Sequence, residues 1–120
     1  MTEGVAHATS RILALCLLAM ILSAADRTPV PWEKHRLLIG QALYRENCAV
    51  CHDIDRAQSK KTGPSFYQLF KRNKMPLGNL KPSREYIKVR VKFGGSLMPA
   101  FRQTLTDSEI DTLIDYIAAK

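Results

Sequence analysis

The sequence predicts an all-α domain of three to four helices, and three observations carry that prediction. Apolar residues recur at helical spacing from about residue 32 to 46, from 83 to 93 and from 106 to 117. No two stretches make convincing partner strands, so an extended segment would have nowhere to place its backbone hydrogen bonds. The last segment opens with a full set of helix-start signals: Thr106 as N-cap, Glu109 to complete a capping box, and Leu105 placed to staple against Ile110.

In chain order, residues 1–25 read as an export leader. Arg11 precedes an apolar run from Ile12 to Leu22, and Ser23-Ala24-Ala25 supplies the small residues after which export peptidases cut. That run is short of the roughly 20 apolar residues a bilayer-spanning helix needs, so cleavage after Ala25 is expected. An uncleaved N-terminal anchor is the alternative. Cys16 follows Leu15, where lipoprotein processing prefers a small residue, so lipidation is not expected. Residues 26–120 then form one expected domain.

Pro29 and Pro31 discourage early helix, so the first helix is expected from Trp32 or Glu33 to Glu46, with Leu37, Leu38, Gln41, Ala42 and Tyr44 at its periodic positions. Gly40 interrupts it at a cost of about 1 kcal/mol against alanine, which points to close approach by another helix. His35 reads as a solvated surface residue. Asp53 to Lys61 is loop, and Thr62-Gly63-Pro64 breaks the chain sharply. Ser65 to Phe70 reads as a short helical turn with Phe66, Leu69 and Phe70 inward; Lys71 to Pro82 is loop again. From Ser83 to Phe93 two patterns compete. Ile87, Val89, Val91 and Phe93 alternate like a strand, while Tyr86, Ile87, Arg90 and Val91 fit a helix capped by Ser83 and ended by Gly94. Helix is expected, for want of a pairing strand. In the last helix Ile110, Leu113, Ile114 and Ile117 form one apolar stripe, expected to pack on the first helix near Gly40.

The chemistry centres on Cys48-Ala49-Val50-Cys51-His52. Two cysteines separated by two residues and followed by histidine form the attachment signature of c-type haem, each thiol adding to a vinyl group while the histidine reaches the iron. Zinc binding would need further ligands, and beyond the leader the chain offers only His35 and His52 as strong nitrogen donors, with no second CxxC. A dithiol oxidoreductase would sit in a βαβ pattern, which is not found. A domain of this size has a marginal core, so one covalently attached haem would act as its staple, and the apoprotein is expected to be poorly folded. For the sixth iron position the candidates are Met75, Met98 and His35. Met98 is favoured by its place before Pro99-Ala100-Phe101, between Gly94-Gly95 and the capped last helix; Met75, also followed by proline, is its rival.

These stretches together resemble class I cytochromes c, specifically the small bacterial monohaem kind, over nearly the whole of residues 26–120. The match runs through Gly40 to Tyr44, the CxxCH pentapeptide, Thr62-Gly63-Pro64, Met98-Pro99-Ala100-Phe101, and Leu105-Thr106 with the helix ending Tyr116-Ile117. The resemblance implies the cytochrome c fold, with N- and C-terminal helices packed together. It implies thioethers at Cys48 and Cys51, His52 and Met98 as axial iron ligands, and the Pro64 carbonyl accepting the other ring proton of His52. It also brings Gly40 and Tyr44 to the last helix near Tyr116. Phe66 departs from the pattern, standing where many relatives have a smaller aliphatic residue.

With both axial positions filled there is no open site for substrate, so the expected function is single-electron transfer between periplasmic redox partners, not catalysis. The alternatives are a ligand-binding or peroxidase-like haem with a labile methionine, or a redox subunit held in an enzyme complex. The formal net charge is +7. From Arg56 to Lys92 there are eleven basic residues against Glu85 alone, while the last helix is acidic. That zone is expected to steer the carrier to acidic partners, such as a periplasmic dehydrogenase, a respiratory complex or an oxidase. A merely soluble basic surface is the plainer account. Nucleic acid is not an expected partner, since the leader directs export and no basic helix interleaved with aromatics occurs. Membrane association is expected only if the leader stays attached.

Overall fold

The computed structural model describes residues 31–120, so the expected leader and residues 26–30 lie outside the described residues. Three α-helices and one 3₁₀ turn make up the domain: α1 (Pro31–Asn47), the 3₁₀ turn (Leu69–Lys71), α2 (Arg84–Phe93) and α3 (Asp107–Ala118). No strand occurs among the described residues. None of their helices is long and apolar enough to cross a membrane.

α1 starts at Pro31 itself, because proline suits the first helical position, where its missing N–H would have had no intrahelical partner. Its buried residues are Gly40, Leu43 and Tyr44. Leu38, expected inward, is 55% exposed, and Ala42 is exposed as well. The reason lies at Gly40. A Cβ added there would stand 2.6 Å from both the Thr112 carbonyl oxygen and the Tyr116 Cβ, so the two helix backbones touch through the glycine. The contact face is therefore centred on a residue that carries no hydrophobic signal.

α3 supplies the other half of this seam. Ile110, Leu113 and Ile114 are wholly buried and Ile117 is 1% exposed; burying each such side chain contributes on the order of 1.5–3 kcal/mol. Its start is as the sequence predicts. The Glu109 carboxylate accepts from the Thr106 N–H at 2.8 Å, and the Glu109 N–H reaches the Thr106 hydroxyl at 3.3 Å. Donation to it from the Thr106 N–H and, at 2.7 Å, from the Thr106 hydroxyl holds the Glu109 carboxyl below its ordinary range. α2 takes the helical option: Ser83 caps it through the Tyr86 N–H at 3.1 Å, Ile87 and Val91 are buried four residues apart, and Val89 and Phe93 face outward. Gly94 ends it at φ 70°, a conformation that favours glycine.

The expected basic zone and the acidic last helix meet each other. Arg84 reaches Asp115 at 2.6 Å, Lys88 reaches Asp111 at 2.8 Å and Lys92 reaches Asp107 at 2.8 Å. Arg36 of α1 pairs with the same Asp115. Lys92 and Lys88 hold the Asp107 carboxyl below its ordinary range, and Asp111 raises the Lys88 ammonium. Solvent screens these exposed pairs, so each adds little energy, but together they set α2 across α3.

Candidate functional site

The CxxCH peptide continues α1 by one further turn. The Cys48 and Ala49 N–H groups both reach the Tyr44 carbonyl at 2.9 Å, and the His52 N–H reaches the Cys48 carbonyl at 2.9 Å. This turn carries two free thiols, Cys48 buried and Cys51 partly exposed. Burial, with Cys51 adding to it, pushes the Cys48 thiol up to about 11. From α1 the buried Tyr44 hydroxyl donates to the His52 carbonyl at 2.7 Å, while the Tyr44 ring packs against Tyr116 of α3 at 5.9 Å. Burial above all, then Asp53, pushes the Tyr44 phenol up to about 12, which keeps it a donor.

His52 is 8% exposed and fixed on three sides. Its Nδ1 lies 2.8 Å from the Pro64 carbonyl oxygen, the geometry in which Nδ1–H donates and Nε2 keeps its lone pair. Gly63 permits that approach. A Cβ there would come within 2.5 Å of His52 Cε1, 2.6 Å of Nδ1 and 2.8 Å of the Cys51 carbonyl oxygen. The Gly63 N–H closes the loop by donating to the Cys51 carbonyl at 2.7 Å. Phe66 stacks on the imidazole with ring centres 4.2 Å apart and planes 19° from parallel, so the departure at residue 66 covers one face of His52. Burial lowers the imidazole's proton affinity; the Pro64 carbonyl opposes this and Lys61 adds to it.

These residues open onto a cleft of about 420 Å³ lined by Cys48, Cys51, His52 and Pro64 together with Phe66, Leu69, Ile87, Val91, Met75 and Met98. Met98 sits in a loop folded back on α2. The Gly95 N–H donates to the Met98 carbonyl at 2.9 Å and the Phe101 N–H to the Val91 carbonyl at 3.0 Å. A Cβ at Gly94 would collide with that same Met98 oxygen. Met75 lies in a second loop, closed by its N–H donating to the Leu80 carbonyl at 2.7 Å. Cys48, Cys51, His52, Pro64, Met98 and the rival Met75 thus come together, whereas His35 is exposed on α1.

The donor set fits a covalently held haem: two thiols on one turn, an imidazole with one nitrogen committed to Pro64, and a mostly apolar cavity. Three contributors escape sequence reasoning. Gly63 reads only as a chain breaker, although a glycine wedged between Thr62 and Pro64 is the visible signal of a close approach. Phe66 shows as a generic inward aromatic. The Tyr44 hydroxyl bond to His52 leaves no trace in hydrophobic periodicity.

Residues 35–117 match the family described as cytochrome C oxidase, cbb3-type, subunit III. No curated protein matches the chain.

Proposed function

The chain belongs to that cbb3-type subunit III family, a c-type cytochrome domain with covalently bound haem c and haem-based electron transfer, and from this premise we propose an exported, periplasmic single-electron carrier whose iron is held by His52 and Met98. When bound, the haem supplies a one-electron couple. The residues supply its mounting. Cys48 and Cys51 would form the thioether links, and His52 Nε2 would hold the iron. The Pro64 carbonyl holds the Nδ1 proton, which fixes the ring and makes it more electron-rich. Phe66 excludes water from the imidazole face. The Met98 thioether would be the second residue to hold the iron, a soft ligand that favours the reduced state. Held by both side chains, the group would pass electrons and offer no place for a substrate.

One observation carries this reading: the CxxCH turn, the Pro64 carbonyl and Met98 share one apolar cleft. Met98 is preferred to Met75 because its loop is bonded to the end of α2, while the Met75 loop closes only on itself. In Met98→Ala the weak thioether-to-iron band near the red end of the oxidised spectrum is expected to vanish, and in Met75→Ala to persist. The reverse result would overturn the assignment. Ready carbon monoxide binding by the reduced protein at neutral pH would favour a labile distal site instead.

The family's own description supports a second reading, a redox subunit held in an oxidase complex. Stable co-purification with an oxidase selects it, and transient turnover with separate donor and acceptor selects the free carrier.

A further inference from the structure

We propose that the loop from Lys71 to Lys81 is the docking element for the electron-transfer partner, a protein whose surface sets carboxylates around an apolar centre. The proposal rests on the electron-carrier reading.

Charge first separates this loop from most of the basic zone, in which Lys60 and Arg90 also lack a carboxylate partner among the described residues but stand apart, Arg90 being turned onto the Gly94 carbonyl and Tyr86. Arg84, Lys88 and Lys92 are neutralised by Asp115, Asp111 and Asp107, and Arg56 and Lys61 lie 3.9 and 3.8 Å from Asp53. The loop holds Lys71, Arg72, Lys74 and Lys81 and no acidic residue. Arg72 turns back to donate to the Tyr67 carbonyl at 2.6 Å. The three lysines are exposed and pair with no carboxylate among the described residues. An external acidic surface is therefore the counter-charge this loop lacks.

Apolar exposure coincides with that charge. Leu80, which is not part of the cleft lining, is 63% exposed. The bond from the Met75 N–H to the Leu80 carbonyl ties off the tip, and a Cβ on Gly78 would meet nothing within 4 Å. Interfaces of this type combine an apolar contact with a charged rim that steers encounter. The third observation is position. Met75, Pro76 and Leu77 line the cleft, so the loop is a cleft wall on one side and open surface on the other. A partner seated there approaches the redox group through one thickness of chain.

The test uses the haem-loaded protein and stopped-flow reduction by flavodoxin hydroquinone, an acidic single-electron donor, with ascorbate as a small-molecule reference. In K74Q/K81Q the flavodoxin rate at low ionic strength is expected to fall about tenfold and its salt dependence to flatten. L80S, at a loop position outside the cleft lining, is expected to slow the reaction a few-fold at every salt concentration. K34Q/R45Q, with the same loss of net charge at exposed positions of α1, is expected to fall clearly less. Ascorbate should reduce all variants alike. Equal slowing by the α1 control, or no slowing by the loop variants, overturns the proposal. So does loss of binding to phosphatidylserine vesicles in L80S with unchanged flavodoxin rates, which would make the loop a lipid contact. Failure of ascorbate to reduce the wild-type protein would instead sink the carrier reading beneath it.

Discussion

The seam between α1 and α3 and the mouth of the cleft are built on opposite terms. At the seam, Gly40 lets backbones touch, Tyr44 packs on Tyr116, and Ile110, Leu113 and Ile114 have no exposed surface. At the mouth, Val50, Leu77 and Leu97 are each more than 80% exposed, and the loops are held by isolated backbone bonds. The seam is finished by its own side chains. The mouth is lined by side chains that the haem would cover.

The sharpest way to break this contrast is to withhold the haem. In protein carrying Cys48→Ala and Cys51→Ala, cooperative thermal unfolding is expected to be lost. Hydrogen exchange should be fast throughout α2 and residues 71–82 and slowest in α3; uniform native-like protection would refute the contrast.

Next in size is truncation within each region. Leu113→Ala should destabilise the haem-loaded protein by about 3–4 kcal/mol, and Leu80→Ala, at 63% exposure and outside the cleft lining, by no more than about 0.5 kcal/mol. Denaturant titration reads both, and similar losses would erase the distinction.

Glycine substitutions give a finer comparison. Gly40→Ala forces a methyl against the Thr112 carbonyl and Tyr116, and a loss of about 2–3 kcal/mol is expected. Gly78→Ala faces open space and should change stability by less than about 1 kcal/mol. A larger effect at Gly78 than at Gly40 would show that the mouth, not the seam, is the tightly fitted part.

The smallest effect concerns pH. Lys92 first, with Lys88, holds the folded Asp107 carboxyl below its unfolded value, and the Thr106 N–H and hydroxyl do the same for Glu109. In the acid range the unfolded chain therefore binds more protons than the folded one. This stability is complete above the ordinary carboxylate range, about pH 4, and drains away as pH falls through the depressed folded values. Melting temperatures from pH 2 to 6 should show a shallower acid slope in Asp107→Asn than in wild type. An unchanged slope would mean these pairs contribute nothing to the α2–α3 contact.

What could be read in advance follows the range of the forces involved. The start of α3 was legible because a capping box is a contact among near neighbours, and the α3 stripe because every buried position in it is large and apolar. The helix at residues 84–93 required an argument from absence, since its alternation fits two periods. The face of α1 departs from its periodic pattern at Leu38 and Ala42 because the packing there centres on Gly40, which has no side chain. At the site, Cys48, Cys51 and His52 were readable as a local motif, while Pro64 came through family likeness alone. The contacts that orient His52, the Tyr44 hydroxyl bond, the close approach at Gly63 and the stacked Phe66 ring, depend on how distant turns fold back, which periodicity does not encode.

The bond from Tyr44 to the His52 carbonyl also bears on speed. Taking up or giving away charge is fast when few nuclei must shift. A histidine whose backbone hangs from a fully packed helix pair has little room to respond. The accommodation then falls to water and side chains at the open rim. A one-electron group mounted on such a histidine would keep its inner-sphere reorganisation low.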